Sequence, residues 1–185
     1  MDKNTIFIPK FVNLCEFMKE DEVHWYVGCV RSCQEKNVAE ALASRGIEHY
    51  FPVRREVRQW SDRRKVVECP VIPRFIFIRC LNSERAGIME REPRIWRFLP
   101  DAGKAAVVRD SEMEAFRRMV EQGSGAMRFS DRPPAPGDRV RVTDGPLAGL
   151  ECELVNVEGS RCLAVRLGLL GAATMELNLE SLERI

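Results

Sequence analysis

Apolar residues recur along the first two thirds of the chain with spacings that predict alternating strands and helices. Residues 25–30 are rich in strand-forming types, and in residues 35–45 the apolar side chains share one helical face before Gly46 ends the helix. Residues 47–53 and 74–80 are predicted strands, because aromatic and β-branched side chains accumulate there. This part of the chain therefore mixes helices with strands.

The rest of this part predicts a hairpin, one more strand and a final helix. Charged residues surround a turn at residues 61–63, residues 95–99 form a strand, and residues 111–122 carry apolar side chains on one helical face. Ser111 and Glu114 have the S-x-x-E spacing of a capping box, which predicts the start of that helix. The order of elements predicts an α+β sandwich, in which helices cover a mostly antiparallel sheet.

The end of the chain alternates apolar and polar side chains in short runs between glycines. Val140 and Val142 alternate with arginines, and residues 163–167 and 175–179 repeat the pattern. So short a sheet hides its edges best by closing on itself, which predicts a small SH3-like β-barrel. Prolines and glycines collect between the two patterns, at residues 123–136, and mark a linker.

Composition and charge give the two predicted domains opposite sign. With 185 residues, 45% apolar and 31% charged, the chain suits two small cores, and no apolar run approaches the roughly 20 residues that cross a bilayer. We expect a cytoplasmic protein with a tail of uncertain structure over residues 1–23, a basic domain over 24–122 and an acidic domain over 137–185. Basic residues outnumber acidic ones 19 to 14 in the first domain and trail them 5 to 8 in the second. Only the first domain is suited to lie near nucleic acid.

The seven cysteines favour neither a metal site nor a disulfide framework. They are odd in number and scattered without a C-x-x-C pair, and Cys29 and Cys33 would need two further ligands where only His24 and His49 exist elsewhere. No activated nucleophile, paired carboxylate site or phosphate loop has a convincing spacing. We expect no cofactor and no enzyme; the enzymatic alternative uses Cys29 or Cys33 as a nucleophile of lowered pKa.

Three motifs, in order and at family spacing, resemble the NusG family, in which an amino-terminal domain is joined to a KOW domain. Residues 25–27 with Glu35 resemble the family's opening strand and first helix, and residues 70–78, PVIPRFIFI, resemble its P-L-F-P-G-Y-V-F-V strand. Residues 136–142 followed by 145–151 are similar to the KOW signature. Two positions where the family often has glycine hold larger residues, Arg74 and Cys152.

The resemblance implies a pocket for RNA polymerase on the amino-terminal domain. In the family this hydrophobic pocket takes the clamp helices of the largest polymerase subunit, and the matching positions here are Tyr26 or Cys29, Phe75 and Phe77. Phe75 and Phe77 alternate with isoleucines, so the two pairs face opposite sides of a strand. The alternative is that all of these side chains belong to the core.

The charged hairpin predicts contact with DNA. Its cations outnumber its acids by four around Trp60, a ring that could stack on an exposed base. By the resemblance, this side of the domain faces upstream DNA and the non-template strand. The predicted DNA-binding residues are Arg31, Lys36, Arg54, Arg55, Arg58, Trp60, Arg63, Arg64 and Lys65. The alternative is a solvated charged hairpin.

The acidic barrel lacks aromatic side chains after Phe129, so we expect it to bind protein rather than RNA. In the family this domain binds termination factor Rho or ribosomal protein S10, and in the RfaH relative it refolds to a helical hairpin that covers the polymerase pocket. Residues 167–174 fit either state.

These observations together predict a monomeric transcription elongation or antitermination factor that binds RNA polymerase and increases its processivity. Residues 59–65 resemble the specialised paralogues of Bacteroides-type bacteria, the UpxY group, which antiterminates capsular polysaccharide operons. Such operons are therefore the expected targets. The alternatives are a general NusG-like elongation factor and an RNA-binding or ribosome-associated KOW protein.

Overall fold

The elements of the chain fall into a mixed group followed by an all-strand group. A computed structural model describes residues 22–59, 64–101, 103–122, 127–132, 134–176 and 182–185, excluding the side chains of Val57, Arg58 and Lys65. The helices are α1 (Glu35–Ser44), α2 (Glu84–Arg91) and α3 (Asp110–Gln122). The first strands are β1 (His24–Val30), β2 (His49–Tyr50), β3 (Val53–Gln59), β4 (Arg64–Pro70), β5 (Phe75–Cys80), β6 (Ile95–Phe98), β7 (Pro100–Asp101), β8 (Lys104–Ala105) and β9 (Val107–Val108).

The first sheet runs β2-β5-β1-β6, with β9 also paired to β1, and every pairing is antiparallel. Side chains of β1 and β5 alternate between its two faces. On one face, α1 and α2 cover Tyr26, Ile76 and Ile78. On the other, α3 covers Trp25 and Phe77. The predicted α+β sandwich with an antiparallel sheet is confirmed.

A two-stranded ribbon of β3 and β4 projects beside this sheet. Its register runs from Val53 opposite Pro70 to Gln59 opposite Arg64, so the predicted charged hairpin is present. The tip, residues 60–63, lies outside the described residues, as do residues 1–21 of the predicted tail.

The second group of strands forms one antiparallel sheet in the order β10-β14-β13-β12-β11-β15. Its strands are β10 (Met127–Ser130), β11 (Asp138–Val142), β12 (Glu151–Val157), β13 (Ser160–Arg166), β14 (Ala172–Glu176) and β15 (Leu182–Arg184). Fully buried Leu163, Leu167 and Met175 form its centre. The predicted SH3-like class is confirmed, although β10 pairs with β14 inside the stretch predicted as linker, residues 123–136.

The two domains share one apolar core in the closed arrangement that the structure has. Ser111, Ala115 and Arg118 lie on one stripe of α3 and, with barrel residues, line the cleft between the domains. The Arg118 guanidinium donates a hydrogen bond of 2.7 Å to the carbonyl oxygen of Ala148. A Cβ at Gly168 would lie 3.2 Å from the carbonyl oxygen of Val107, so the barrel also touches β9.

The predicted capping box of the last helix is wrong in register. The helix α3 begins at Asp110, one residue before Ser111, and the Glu112 carboxylate accepts a hydrogen bond of 3.1 Å from the Arg109 N–H. Glu112 rather than Glu114 therefore satisfies a free amide at the amino end.

Candidate functional site

The sheet divides the four predicted polymerase-binding residues between its two faces. Cys29 lies opposite Phe75, and Phe77 lies opposite Val27, which places these side chains on the face that α3 partly covers. Tyr26 lies opposite Ile78 and faces the other helices. One pocket cannot contain all four residues.

Tyr26 is a core residue in the structure. Its side chain is buried against Phe98, at 6.2 Å between ring centroids, and the Arg85 guanidinium lies 5.1 Å from its ring centroid. Burial raises the pKa of the Tyr26 hydroxyl. Of the two alternatives that the sequence leaves at this position, Tyr26 or Cys29, only Cys29 lies on the face of Phe75.

Phe77 is also buried, beneath α3. Its ring packs 5.7 Å from the ring of Phe116 and 6.5 Å from that of Tyr50. A side chain so enclosed stabilises the domain and offers no surface to a partner.

Cys29 and Phe75 instead line an open cleft at the end of the sheet that α3 leaves uncovered. The cleft has a volume of about 170 Å³, and we call it the Phe75 cleft; its walls are Cys29, Val30, Arg74, Phe75, Trp96 and Arg97. All six residues belong to the first domain, so the docked barrel does not line it. Phe75 is half-buried, and Trp96 is 46% exposed.

A β-bulge directs Trp96 to this cleft. Cys29 pairs with Arg97 but Val30 pairs with Ile95, so Trp96 is an extra residue in β6. Bulges re-aim side chains at sheet edges. The Arg97 guanidinium lies 4.3 Å from the Trp96 ring centroid, which holds the two side chains together through a cation–π contact.

Arg74 reaches the cleft through an unusual backbone conformation. Its φ of 69° lies in the left-handed region, where a residue with a Cβ is rarely found. The Glu35 carboxylate, itself buried, accepts a hydrogen bond of 2.8 Å from the Arg74 N–H, and the Arg74 carbonyl accepts one of 2.8 Å from Val30. The resemblance to a family that often has glycine here is consistent with this conformation.

The Cys29 thiol forms a neutral part of the cleft floor. Burial raises its pKa, and this outweighs the opposing effect of Arg97 and Arg74. A thiol of raised pKa is a poor nucleophile near neutral pH. Cys33, the other cysteine of the enzymatic alternative, is exposed in the turn after β1.

The predicted DNA-binding residues lie on the ribbon and beside it. Glu68 of β4 lies 3.7 Å from the Lys36 ammonium and 3.8 Å from the Arg55 guanidinium, so α1 and the ribbon meet at this carboxylate. Arg31 is exposed just after β1, Arg54 is half-buried, and Arg64 is exposed and donates a 3.0 Å hydrogen bond to Gln59.

The remaining predicted DNA-binding residues are only partly described. Arg58 and Lys65 pair in the ribbon backbone, with side chains outside the description. Trp60 and Arg63 lie in the tip, which is also outside it.

The barrel neutralises several of its own cations. Arg166 forms hydrogen bonds of 2.8 and 2.9 Å with the Glu153 carboxylate, and Arg141 forms one of 2.6 Å with Glu151. These contacts lower the pKa of both carboxyl groups. The barrel surface is therefore poorly suited to phosphate binding.

The sequence reasoning missed Trp96 and Arg97. The sequence holds one signal. Trp96 follows Ile95 directly within a predicted strand, and two successive apolar residues break the alternation of apolar and polar positions. The bulge that exposes it depends on the pairing of β6 with β1, which only the fold supplies.

Comparison with known families decides the relationship. The family model described as transcription termination factor nusG matches residues 23–117, and the model described as KOW motif matches residues 136–167. The chain belongs to the NusG family. NusG proteins are transcription termination and antitermination factors and are not enzymes.

Several curated NusG proteins are similar over most of the chain. The transcription termination/antitermination protein NusG of Pseudomonas aeruginosa is 29% identical over 181 residues, covering 87% of this chain and 98% of that protein. The one from Haemophilus influenzae is 28% identical, with 87% and 94% covered. A solved structure on domain interaction in Thermotoga maritima NusG has a TM-score of 0.47 and 16% identity, covering 89% of this chain and 98% of that one.

Two kinds of feature are absent from the described part of the chain. No helix among the described residues has the length and apolar character needed to cross a membrane. In the same part of the chain, no three His, Cys, Asp or Glu side chains come together as metal ligands would.

Proposed function

We propose that this NusG-family chain binds RNA polymerase through the Phe75 cleft and increases the processivity of transcription. The observation that carries the proposal is an open, aromatic-lined cleft at the end of the sheet, with Trp96 46% exposed beside the half-buried Phe75. Exposed apolar patches rimmed by polar residues commonly bind protein. Aromatic and arginine side chains are the types that contribute most to such interfaces.

The partner surface that we propose is the pair of clamp helices of the largest polymerase subunit. The proposal follows the family resemblance, and the cleft suits it because a groove with an apolar floor accepts side chains from one face of a helix. Tyr26 and Phe77 then act indirectly: they are buried on opposite faces of the sheet and keep the cleft in shape.

We propose that upstream or non-template DNA passes the ribbon. Lys36, Arg55 and Arg64 lie on or next to it. Basic side chains on a projecting ribbon favour phosphate contacts. The factor would act in the cytoplasm as a monomer.

The barrel is proposed to bind a protein, with Rho or ribosomal protein S10 as the candidates that the family suggests. Its paired arginines and net negative charge support a protein partner over RNA. The RNA-binding alternative would need an excess of cations and exposed stacking rings on this domain. The ring of Phe129 in β10 packs against the core instead.

Two transcriptional roles fit this mechanism. The resemblance of residues 59–65 to the UpxY group supports antitermination at particular operons, such as capsular polysaccharide loci. The general NusG proteins among its relatives support a general elongation role equally well.

Transcription by purified RNA polymerase tests the proposal and separates the two roles. One template carries a pause site and a terminator, and a second adds the leader of a capsular polysaccharide operon. We expect the wild type to raise the full-length product and Trp96→Ala to abolish the increase. Leu169→Ala, which changes a still more exposed apolar residue on the barrel, should leave the increase intact.

An increase on both templates would support the general role, and an increase confined to the leader template would support the operon-specific one. Product lengths unchanged on both templates at saturating protein would contradict the proposal.

A further inference from the structure

We infer that the Phe75 cleft selects a partner segment in which an apolar side chain is flanked by a carboxylate, with Arg74 and Arg97 as its two charge partners. This inference rests on the proposed function and specifies the chemistry of the polymerase surface that the cleft contacts. It is argued from the apolar floor, from two arginines that meet no acid among the described residues, and from a strained backbone at Arg74.

The floor of the cleft accepts an apolar group. Cys29 is 3% exposed and Val30 is fully buried, so the floor offers the edge of the core rather than polar atoms. The raised pKa of the Cys29 thiol keeps it uncharged near neutral pH. A volume of about 170 Å³ suits one inserted side chain.

The two arginines at the rim, Arg74 and Arg97, have no acidic partner in the part of the chain that the structure describes. Among the described residues, no carboxylate lies within ion-pair distance of the Arg74 or Arg97 guanidinium, whereas Arg94 nearby is held by Glu92 at 2.5 Å. The contact of Arg97 with the Trp96 ring orients its guanidinium. One of its five donors also reaches the Cys29 thiol, and the others can meet a carboxylate.

The backbone of Arg74 adds an independent argument. A left-handed conformation is strained for a residue with a Cβ and unstrained for glycine. The hydrogen bond from its N–H to the buried Glu35 carboxylate stabilises that conformation. Such strain concentrates at binding sites, which points to the Arg74 side chain as a functional group.

A protein carboxylate fits the cleft better than a nucleic-acid phosphate. Single-stranded nucleic acid binds by stacking bases on exposed ring faces along a basic groove. Here Arg97 covers one face of Trp96, and the remaining floor is aliphatic and thiol. The shape instead suits a partner protein that inserts an apolar side chain into the cleft and places a carboxylate against Arg74 or Arg97.

The affinity of the full-length chain for purified core RNA polymerase tests the inference, measured at low and at moderate salt. The variant Arg74→Gly removes the guanidinium and suits the left-handed backbone, so the fold is retained or stabilised. The second variant is Arg97→Gln, and the control is Arg161→Gln, an exposed arginine on the barrel.

We expect Arg74→Gly and Arg97→Gln each to weaken binding about 3- to 10-fold at low salt, and less at moderate salt, because screening reduces the charge contribution. Equal affinity of these variants and Arg161→Gln would overturn the inference and leave the proposed function standing. Loss of single-stranded DNA binding with polymerase binding unchanged would also overturn it. A wild type that fails to bind polymerase would overturn the proposed function, and the inference with it.

Discussion

Gly137 lies against the backbone of β12 with no room for a side chain. A Cβ there would lie 1.9 Å from the carbonyl oxygen of Leu154, and its N–H faces the Glu153 carboxylate at 3.4 Å. Because backbone atoms must move to relieve this overlap, Gly137→Ala should destabilise the barrel by about 2 kcal/mol or more. Close packing against β12 therefore explains why this position of the KOW signature is glycine.

Thermal unfolding of the full chain measures this effect, with hydrogen exchange of β11 and β12 to locate it. Gly87→Ala is the matched control, since a Cβ at Gly87 meets nothing within 4 Å and alanine favours α2. Equal stability of Gly137→Ala and wild type would show that the close approach does not exist.

At the scale of single residues, the sequence shows which positions are apolar or charged and how they are spaced. It does not show which side chains or backbone groups each charge contacts. Glu92 is 2% exposed and is held by Arg94, which lowers its pKa, and Glu35 binds the Arg74 backbone across 39 positions. Both carboxylates look like ordinary helix-end charges in the sequence. The ion pairs of Glu68 with Lys36 of α1 and Arg55 of β3 could likewise be found only from the fold.

At the scale of elements, the ribbon of β3 and β4 carries exposed charges that can be replaced without changing the packing of either hydrophobic core. Glu68 lies on its exposed side and draws Lys36 and Arg55 toward itself. Glu68→Gln should release both cations and raise the affinity for single-stranded DNA at low salt, with the slope of log K against log salt about 0.7 steeper per added phosphate contact.

Titration of a fluorescent oligonucleotide at several salt concentrations checks this prediction. Glu158→Gln is the control, because it frees Arg128 on the barrel from a 3.1 Å ion pair while making the same change of net charge. Equal gains from the two variants would indicate a general charge effect and argue against the ribbon as the DNA-binding element.

The longer elements were predictable because burial imposes a period on them. The helix α1, the strand β5 and the hairpin of β3 and β4 fall close to where the periodicity predicts them. Short strands carry too few residues to show a period, so the sequence predicts linker where β10 pairs with β14. The capping box of α3 lies two residues earlier than the sequence predicts. Glu112 and Glu114 are both placed near the start of the helix, and Glu112 is the one that accepts from a free amide.

At the scale of the whole molecule, the sequence predicts two domains but not that they are docked. The stripe of α3 that faces the barrel, Ser111, Ala115 and Arg118, is small and polar, so nothing in its pattern marks an interface. Ala115 is 9% exposed because the barrel covers it. No barrel residue lines the Phe75 cleft, so polymerase binding as we propose it would not require the barrel to move.

Ala115→Glu should undock the domains, because a charge in that interface would be buried without a partner. Small-angle X-ray scattering should then give a larger radius of gyration, with circular dichroism unchanged. Ala86→Glu, on an exposed position of α2, should leave the radius as in the wild type. An unchanged radius for Ala115→Glu would contradict the docked arrangement.

The affinity for purified RNA polymerase, compared between the full-length wild type, Trp96→Ala and Phe75→Ala, shows whether the Phe75 cleft is the polymerase-binding surface. Loss of an interface aromatic commonly costs about 2 kcal/mol or more, so each variant should bind more than about tenfold more weakly. Leu169→Ala should bind like the wild type, and circular dichroism should show all four proteins folded. Wild-type affinity in both cleft variants would contradict the account, because the polymerase would then bind elsewhere on the molecule.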